Sequence, residues 1–384
     1  MKKLLVIFCV FFSLITLVKA EDLTLNALSA ILIDSSSGEV LYEKNADEKL
    51  APASMTKIMT MLLIMEAIDN GNITFDDEVT ITKEAASMGG SQVFLQEGEV
   101  YKVSELLKGI AVASGNDAAV AMAERIGGSV EGFVNMMNEK AKALNLSNTN
   151  FVNPHGLDVE NHYSSARDMA IMAKELLKHE KILEYSSIYE EYLTKNDGSK
   201  TWLVNTNKLI KFYNGADGLK TGFTKSAGYC LTATAKKNDL RLISVVMKED
   251  STNARTEDTV KMLNYGFNTY KLNVIKDSNE ILGRIKVVGG KKDYAEIVLK
   301  NPATKLLKIS EQSQDYTFNI LIDEIKAPIK KGDVIGTAQI LDTDGNVVTN
   351  VDLTVKEDIL KANFWDYIKR NLKISLSGKI VVKN

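Results

Sequence analysis

The sequence has little cysteine, little histidine and almost no excess of charge of either sign. Of its 384 residues, two are cysteine and three are histidine, and the formal net charge is −3. Nothing in this balance indicates the basic surface on which nucleic-acid binding depends. The histidines, at positions 155, 162 and 179, lack the spacing of metal ligands, so we expect no metal site. What remains is an ordinary globular composition, 45% hydrophobic and 25% charged.

The first 20 residues have the organisation of an export signal. A short basic start, Met1 to Lys3, precedes an almost wholly apolar run from Leu4 to Val18, and residues 18–20 resemble a small-residue cleavage site. We therefore interpret residues 1–20 as a signal peptide that is cleaved after Ala20. An uncleaved anchor is the alternative, although the apolar run is shorter than the ~20 residues that a membrane span requires.

Export has a consequence for the two cysteines. Removal of the signal also removes Cys9, which leaves Cys230 as the single cysteine of the exported chain. No intramolecular disulfide can then form, so the fold must rest on its hydrophobic core. Cys230 lies in a strand-like run, where we expect a buried structural thiol rather than a nucleophile.

The residues after the signal divide into three parts by their patterns. Residues 21–272 mix strands and helices, beginning with two strands around a Ser-Ser-Gly turn. Residues 273–357 consist of short alternating segments joined by turn signals such as Gly289-Gly290, which predicts a separate small all-β domain. The chain is long enough for both domains.

Residues 358–384 form the third part, a predicted helical tail. Lysine and arginine alternate there with apolar residues that recur at helical spacing: Leu360, Phe364, Trp365, Ile368, Leu372 and Leu376. A basic amphipathic helix of this kind favours association with a membrane surface. A helix that packs on its own domain is the alternative.

Ser54 and Lys57 open a strongly apolar run that predicts a buried helix. On a helix, residues three apart share a face and can touch. No acid lies between Leu50 and Met65, so burial would lower the pKa of Lys57 and leave a neutral amine beside the serine hydroxyl. The pair is therefore a candidate activated nucleophile. The alternative is a lysine whose ammonium reaches the surface from a core helix.

A second motif, Ser114-Gly115-Asn116, joins two helical runs. Its hydroxyl and amide can pass a proton and hold a lysine or a peptide carbonyl. The alternative is that these side chains cap the helix that follows. Ser251-Thr252-Asn253 repeats the pattern and is expected to be such a chance case.

A third motif, Lys220-Thr221-Gly222, lies on an extended segment before two predicted strands. An ammonium and a hydroxyl on adjacent residues can hold a substrate carboxylate, and Gly222 lets another backbone approach closely. The alternative is a solvated edge strand, on which lysine discourages aggregation.

Together and in this order, the three motifs resemble the signature of the low-molecular-mass penicillin-binding proteins that are serine-type D-alanyl-D-alanine carboxypeptidases. The resemblance covers nearly all of the chain after the signal, including the loop of residues 153–158. It implies an α/β penicillin-binding, β-lactamase-like domain with a central antiparallel sheet and a helical lobe. A small all-β sandwich domain and a C-terminal amphipathic helix would follow. It also implies no cofactor, and a place at the outer face of the cytoplasmic membrane, in the cell-wall space.

The resemblance implies a role for each catalytic candidate. Ser54 would attack the peptide bond between the last two D-alanines of a peptidoglycan stem pentapeptide, with Lys57 as general base. Ser114 would relay a proton to the departing D-alanine, and Asn116 would hold Lys57 and the substrate amide. β-Lactam antibiotics would act as covalent inhibitors at Ser54.

The resemblance also implies a substrate-binding strand. The terminal carboxylate would bind to Lys220 and Thr221, and the oxyanion would bind to the backbone N–H groups of residues 54 and 223. The strand consists of Lys220, Thr221, Gly222, Phe223 and Thr224. Some members of the family have histidine at position 223, where this chain has phenylalanine.

Three other functions compete with this interpretation. A β-lactamase of the same fold would need an acidic residue on a loop after the second motif, and no Glu-x-x-x-Asn segment lies between Asn116 and Lys220. A catalytically silent cell-wall binding protein would have no need of Ser54, Lys57 and Lys220 together. Endopeptidase activity on peptidoglycan cross-links is compatible with the same motifs.

Overall fold

The computed structural model describes residues 23–376, and the predicted signal peptide lies outside the described residues. Between residues 23 and 269 the strands are β1 (Ser29–Asp34), β2 (Val40–Lys44), β3 (Glu78–Thr80), β4 (Val100–Lys102), β5 (Glu190–Thr194), β6 (Lys200–Val204), β7 (Ala216–Thr224), β8 (Gly228–Lys237) and β9 (Leu240–Glu249). A 3₁₀ helix at Ala53–Thr56 precedes α1 (Lys57–Asp69), α2 (Lys83–Ala86), α3 (Val103–Ala113), α4 (Asn116–Gly127), α5 (Val130–Ala143), α6 (Ala166–Leu176), α7 (Ile182–Ser186), α8 (Leu209–Phe212) and α9 (Thr252–Thr269).

A five-stranded antiparallel sheet, in the order β2-β1-β9-β8-β7, forms the centre of this part. Alternate residues of β1 point to opposite faces. Ile31 and Ile33 join the core shared with α1 and α6, whereas Ala30 and Leu32 pack with α9. The sheet is therefore covered on both faces, and β7 is left at one edge.

Helix α1 is buried on all sides, as its apolar sequence predicts, because α3, α4, α5 and α6 contact it. The predicted strand pair around the Ser-Ser-Gly turn is also confirmed by β1 and β2. The hairpin of β5 and β6 was not predicted. It has Leu193 and Leu203 buried while Tyr192 and Trp202 stay exposed.

Residues after 269 are β-rich, as expected, with the strands β10 (Tyr270–Lys276), β11 (Gly283–Val288), β12 (Tyr294–Leu299), β13 (Ala303–Lys308), β14 (Thr317–Leu321), β15 (Ile325–Lys326), β16 (Gly336–Leu341) and β17 (Val347–Val355). Strands β10 and β13 form a ribbon, and the other six form a sheet in the order β14-β16-β17-β12-β11-β15. Ala303 of the ribbon shares a core with Leu299, Ile340 and Leu353 of the sheet.

The described chain ends in helix α10 (Phe364–Leu376). Its first turn exposes Phe364 and Trp365, whose rings contact each other edge to face. Within residues 23–376, no helix combines the length and the apolar composition needed to cross a bilayer.

Candidate active site

Ser54 lies on the 3₁₀ turn that leads into α1, one turn before the helix proper begins at Lys57. In a 3₁₀ helix, residues i and i+3 are eclipsed, so the two side chains point the same way. The Nζ atom of Lys57 is 3.1 Å from Oγ of Ser54. The predicted contact between serine and lysine is therefore present, although a 3₁₀ turn rather than an α-helix creates it.

The residue before the nucleophile candidate has an unusual backbone. Ala53 has φ of +47°, a left-handed conformation that costs a non-glycine residue roughly 1–3 kcal/mol. The loop of residues 153–158 presses against this turn, because a Cβ atom on Gly156 would lie 1.8 Å from the carbonyl oxygen of Ala53. Thr60 donates a hydrogen bond of 2.6 Å to the carbonyl of Pro154 in the same loop. The packing of this loop holds the turn in its strained shape.

Lys57 is completely buried, which excludes the alternative that its ammonium reaches the surface. Its Nζ atom lies 2.6 Å from Oδ1 of Asn116 and 2.8 Å from the carbonyl oxygen of His155. A neutral amine has two N–H groups and one lone pair. The N–H groups can donate to these two oxygens, and the lone pair can then accept the hydroxyl proton of Ser54.

The surroundings of Lys57 favour the neutral form of its amine. Burial holds the pKa of Lys57 well below its usual range, and the positive charge of Lys220 lowers the pKa further. The carboxylate of Asp117 acts in the opposite direction but is the weakest of the three effects. Burial therefore lowers the pKa of Lys57 as the sequence predicts, although an acid that is distant in the sequence, Asp117, partly opposes it.

Ser114 and Asn116 do not cap helix α4, so the capping alternative is excluded for them. The N-cap is Gly115, which makes no side-chain cap. Ser114 instead ends α3 in the left-handed region, with φ of +64°. By contrast, Ser251 caps α9 and accepts a hydrogen bond from the N–H of Ala254, as expected for the chance repeat of the pattern.

The two side chains of this motif have different surroundings. The amide of Asn116 is fixed at both ends, since Nδ2 donates to the carbonyl of Gly89 at 2.7 Å while Oδ1 accepts from Lys57. Oγ of Ser114 is buried and has no hydrogen-bond partner within the described part of the chain. An unsatisfied buried hydroxyl is costly, and it leaves a donor and an acceptor available to a bound molecule.

Lys220 is 1% exposed, which excludes the alternative of a solvated edge-strand lysine. Burial lowers its pKa to about 7, with a further contribution from the positive charge of Arg255. Nζ of Lys220 donates to the carbonyl of Thr221 at 3.2 Å, and the hydroxyl of Thr221 donates to Oγ1 of Thr206 at 2.6 Å. The ammonium and the hydroxyl are thus both held at the edge strand β7.

Gly222, the last residue of the motif, lets β7 pack against the 3₁₀ turn that carries Ser54, which we call the nucleophile turn. A Cβ atom on Gly222 would lie 2.7 Å from the carbonyl oxygen of Pro52, so only glycine allows this approach. The Phe223 ring is half exposed and packs on Tyr229, with ring centroids 4.4 Å apart. Thr224 donates a hydrogen bond of 2.8 Å to Oδ1 of Asp158, which lies in the loop of residues 153–158. The nine predicted site residues therefore lie on three neighbouring parts of the fold: the 3₁₀ turn with the start of α1, the junction of α3 and α4, and strand β7.

Comparison with known proteins agrees with this geometry. The family described as D-alanyl-D-alanine carboxypeptidase matches residues 16–251, and the C-terminal domain of penicillin-binding protein 5 matches residues 270–361. This chain belongs to the D-alanyl-D-alanine carboxypeptidase family. The predicted fold and the predicted enzyme class, a serine-type hydrolase, are confirmed.

Individual relatives show how far the similarity extends. The D-alanyl-D-alanine carboxypeptidase DacF of Bacillus subtilis (strain 168) is 51% identical over 355 residues, or 92% of this chain and 91% of that protein. Penicillin-binding protein 5 of Haemophilus influenzae is 33% identical, with a TM-score of 0.68 over 88% of this chain and 98% of that one. Penicillin-binding protein D2 of Listeria monocytogenes, in an ampicillin-bound form, is 34% identical, with a TM-score of 0.58 over 64% and 99%.

Two charged residues near the candidate site of this carboxypeptidase are not among those predicted from the sequence. Arg255 is buried on α9, its Nε atom has no partner among the described residues, and its charge acts on Lys220. The carboxylate of Asp117 accepts from the backbone N–H groups of Val93 and Leu95 and so fixes the loop that contains Gly89. The spacing of Arg255 from Asp258, Thr259 and Met262 places it on the buried face of α9, a signal that could have indicated its role.

Proposed function

We propose that this protein removes the terminal D-alanine from peptidoglycan stem pentapeptides through an acyl-enzyme on Ser54. The observation that carries the proposal is the position of Lys57. Its amine is fully buried, has a lowered pKa and lies 3.1 Å from the Ser54 hydroxyl. A neutral amine there is a general base within reach of the proton that it must accept.

Acylation begins when Lys57 takes the proton of Ser54 and Oγ attacks the carbonyl carbon of the penultimate D-alanine. The negative charge that develops on the carbonyl oxygen is met by the backbone N–H groups of Ser54 and Phe223. The proton on Lys57 then reaches the nitrogen of the departing D-alanine through the hydroxyl of Ser114. The unsatisfied Oγ of Ser114 supports this relay, because a bound leaving group would supply its missing partner.

The terminal carboxylate of the substrate binds to Lys220 and the hydroxyl of Thr221. Two cations support this subsite, since Arg255 lies close enough to lower the pKa of Lys220. A carboxylate would in turn favour the charged forms of both groups. After D-alanine leaves, Lys57 is neutral again and can activate the water that hydrolyses the acyl-enzyme.

β-Lactam antibiotics are expected to acylate the same serine. They carry a carboxylate beside a reactive amide, and they are therefore suited to the carboxylate subsite and to Ser54 together. The ampicillin-bound relative from Listeria monocytogenes supports this part of the proposal.

The test combines covalent labelling with product release. Wild-type protein should form a long-lived adduct with a labelled penicillin and release D-alanine from a stem pentapeptide, whereas Ser54→Ala should do neither. Ser199→Ala, at an exposed position of the β5–β6 turn, is the matched control and should behave as wild type. An adduct on the Ser54→Ala protein would exclude Ser54 as the nucleophile.

Rapid turnover of the penicillin by wild type would favour a β-lactamase, and cleavage of cross-linked dimers would add endopeptidase activity.

We further propose that residues 1–20 direct export and that α10 associates with the outer face of the cytoplasmic membrane. The exposed, adjacent rings of Phe364 and Trp365, 71% and 67% exposed, support a role at a lipid surface. Deletion of the residues after Asp358 should release the protein from membranes. Unchanged partitioning of the truncated protein would contradict an anchor at this site.

A further inference from the structure

Just beyond Phe223, Asp158 of the 153–158 loop contacts Thr224 of strand β7. We propose that Asp158 binds the positively charged side-chain amine of the stem-peptide residue that precedes the acyl D-alanine. This inference rests on the proposed function, because it places the rest of the same substrate.

The direction of the substrate follows from the two ends of its binding strand. In the proposed mechanism the terminal carboxylate binds at Thr221 and the scissile carbonyl at the N–H of Phe223, so the substrate runs antiparallel to β7. Strand β7 is an edge strand, and an extended peptide can add to such an edge through its backbone. With about 3.3 Å per residue, the preceding residue of the stem lies beside Thr224.

Asp158 is well placed to receive a cation at that position. Its Oδ1 atom accepts the hydroxyl proton of Thr224 at 2.8 Å, while no hydrogen bond or ion pair of Oδ2 occurs within residues 23–376. The side chain is exposed, yet the loop beneath it is ordered by Asn153. The Asn153 side chain accepts from the N–H of Gly156 at 2.6 Å and donates to the carbonyl of Leu157 at 2.9 Å. The carboxylate is therefore held in place before a ligand binds.

Phe223 supplies the apolar part of the same subsite. Its ring is 52% exposed and is supported from beneath by Tyr229. A diamino acid such as lysine has a chain of methylene groups that can lie on this ring while its amine reaches Asp158. The combination of an apolar ring with one free carboxylate oxygen matches an aliphatic amine better than a short or acidic side chain.

The proposal can be tested with two pentapeptides that differ only at the third residue, which is lysine in one and norleucine in the other. Norleucine retains the aliphatic chain and lacks the amine. The ratio of the two kcat/KM values therefore measures the effect of the positively charged amine alone. Wild type should prefer the lysine peptide by about 1.5-fold to fivefold, the range for an exposed ion pair. High salt should reduce this preference.

Three variants separate a specific contact from a general effect. Asp158→Asn should bring the ratio close to one, and Asp158→Glu, which keeps the charge, should retain a preference. Glu160→Gln removes another exposed acid two residues away in the chain and should leave the wild-type ratio unchanged. Any loss of activity that comes from disturbing Thr224 affects both peptides and cancels in the ratio.

Three results would overturn the proposal: no preference in wild type, an unchanged ratio in Asp158→Asn, or an equal fall in Glu160→Gln. In each of these cases both peptides are still hydrolysed, and hydrolysis still depends on Ser54. Failure of the proposed function would be different, because wild type would then hydrolyse neither peptide and the inference would fall with it.

Discussion

The buried amine of Lys57 lies within the field of the buried ammonium of Lys220. After burial itself, the charge of Lys220 is the strongest influence that lowers the pKa of Lys57. The two residues are 163 positions apart in the sequence and meet because β7 packs against the turn that precedes α1. The residue that binds the substrate carboxylate in the proposed mechanism therefore also adjusts the base.

Replacement of Lys220 by glutamine should move the pH dependence of acylation. Lys57 acts as a base only when neutral, so acylation is lost as the pH falls through its pKa. Without the positive neighbour this pKa rises, and the acidic limb should move to higher pH. The measurement is the second-order rate constant of acylation by a penicillin as a function of pH. Lys220→Arg keeps the charge and is the control. An acidic limb that stays in place in Lys220→Gln would contradict the coupling.

Ser114→Ala should separate activity from stability. The substitution removes a buried hydroxyl that has no partner among the described residues, so the free energy of unfolding should stay the same or rise by up to about 1 kcal/mol. D-alanine release should nevertheless fall roughly a hundredfold or more, because the proton relay is lost. Ser244 on β9 also has a buried hydroxyl with no partner in the part of the chain that the structure describes, and Ser244→Ala should stay fully active. Equal activity of the two variants would remove Ser114 from the mechanism.

Gly156→Ala should destabilise the fold and disorder the nucleophile turn. The new Cβ would overlap the carbonyl oxygen of Ala53 at 1.8 Å, and φ of Gly156 is +89°. We expect a loss of about 3 kcal/mol or more in urea unfolding, together with loss of penicillin labelling. Gly198 has a similar φ of +84°, but no atom of residues 23–376 lies within 4 Å of its added Cβ. Gly198→Ala should therefore cost only about 1 kcal/mol, and a similar cost for both variants would refute the steric argument.

His162 should make the fold sensitive to mild acid. Its Nδ1 atom accepts from the N–H of Val152 at 3.0 Å, so Nε2 carries the proton and donates to Oγ1 of Thr56 at 2.8 Å. Burial lowers the pKa of His162 from 6.5 to about 4, against a weaker opposing effect of Asp158. Because the pKa of His162 is lower in the folded protein than in the unfolded chain, neutral His162 contributes to the free energy of unfolding. This contribution is complete above pH 6.5 and is lost as the pH falls towards 4.

Urea unfolding at two pH values measures this effect. Between pH 7 and pH 5, wild type should lose about 2 kcal/mol of unfolding free energy through this residue. His162→Gln cannot titrate, so its unfolding free energy should change less over the same interval. The same pH dependence in both proteins would show that His162 does not contribute.

Much of the fold could be predicted because it depends on local patterns. The apolar run after Lys57 predicts a buried helix, and turn signals mark the strands after residue 272. The hairpin of β5 and β6 was missed because its strands alternate weakly, with tyrosine and tryptophan on the exposed face. Tertiary packing against α3, rather than any strong local signal, stabilises that hairpin.

The site was predicted less completely, because several of its parts are backbone groups. Lys57 is held by the carbonyl oxygen of His155, and a carbonyl group is present at every position of any sequence. Asn116 was recognised from its motif, but the carbonyl of Gly89 that fixes its amide could not be. Arg255 lies on a helix after the last motif, and its relation to Lys220 exists only in three dimensions.

The sequence by itself determined which groups are available for chemistry: one serine three residues before a lysine, with a hydroxyl, an amide and a second lysine in a fixed order. Only the tertiary structure decided that the pKa of Lys57 is lowered, that the hydroxyl of Ser114 has no partner among the described residues and that β7 is an edge strand. The physical reason is that residue identity is local, whereas desolvation, charge coupling and strand pairing depend on what packs against a residue. Those neighbours come from parts of the chain far away in sequence.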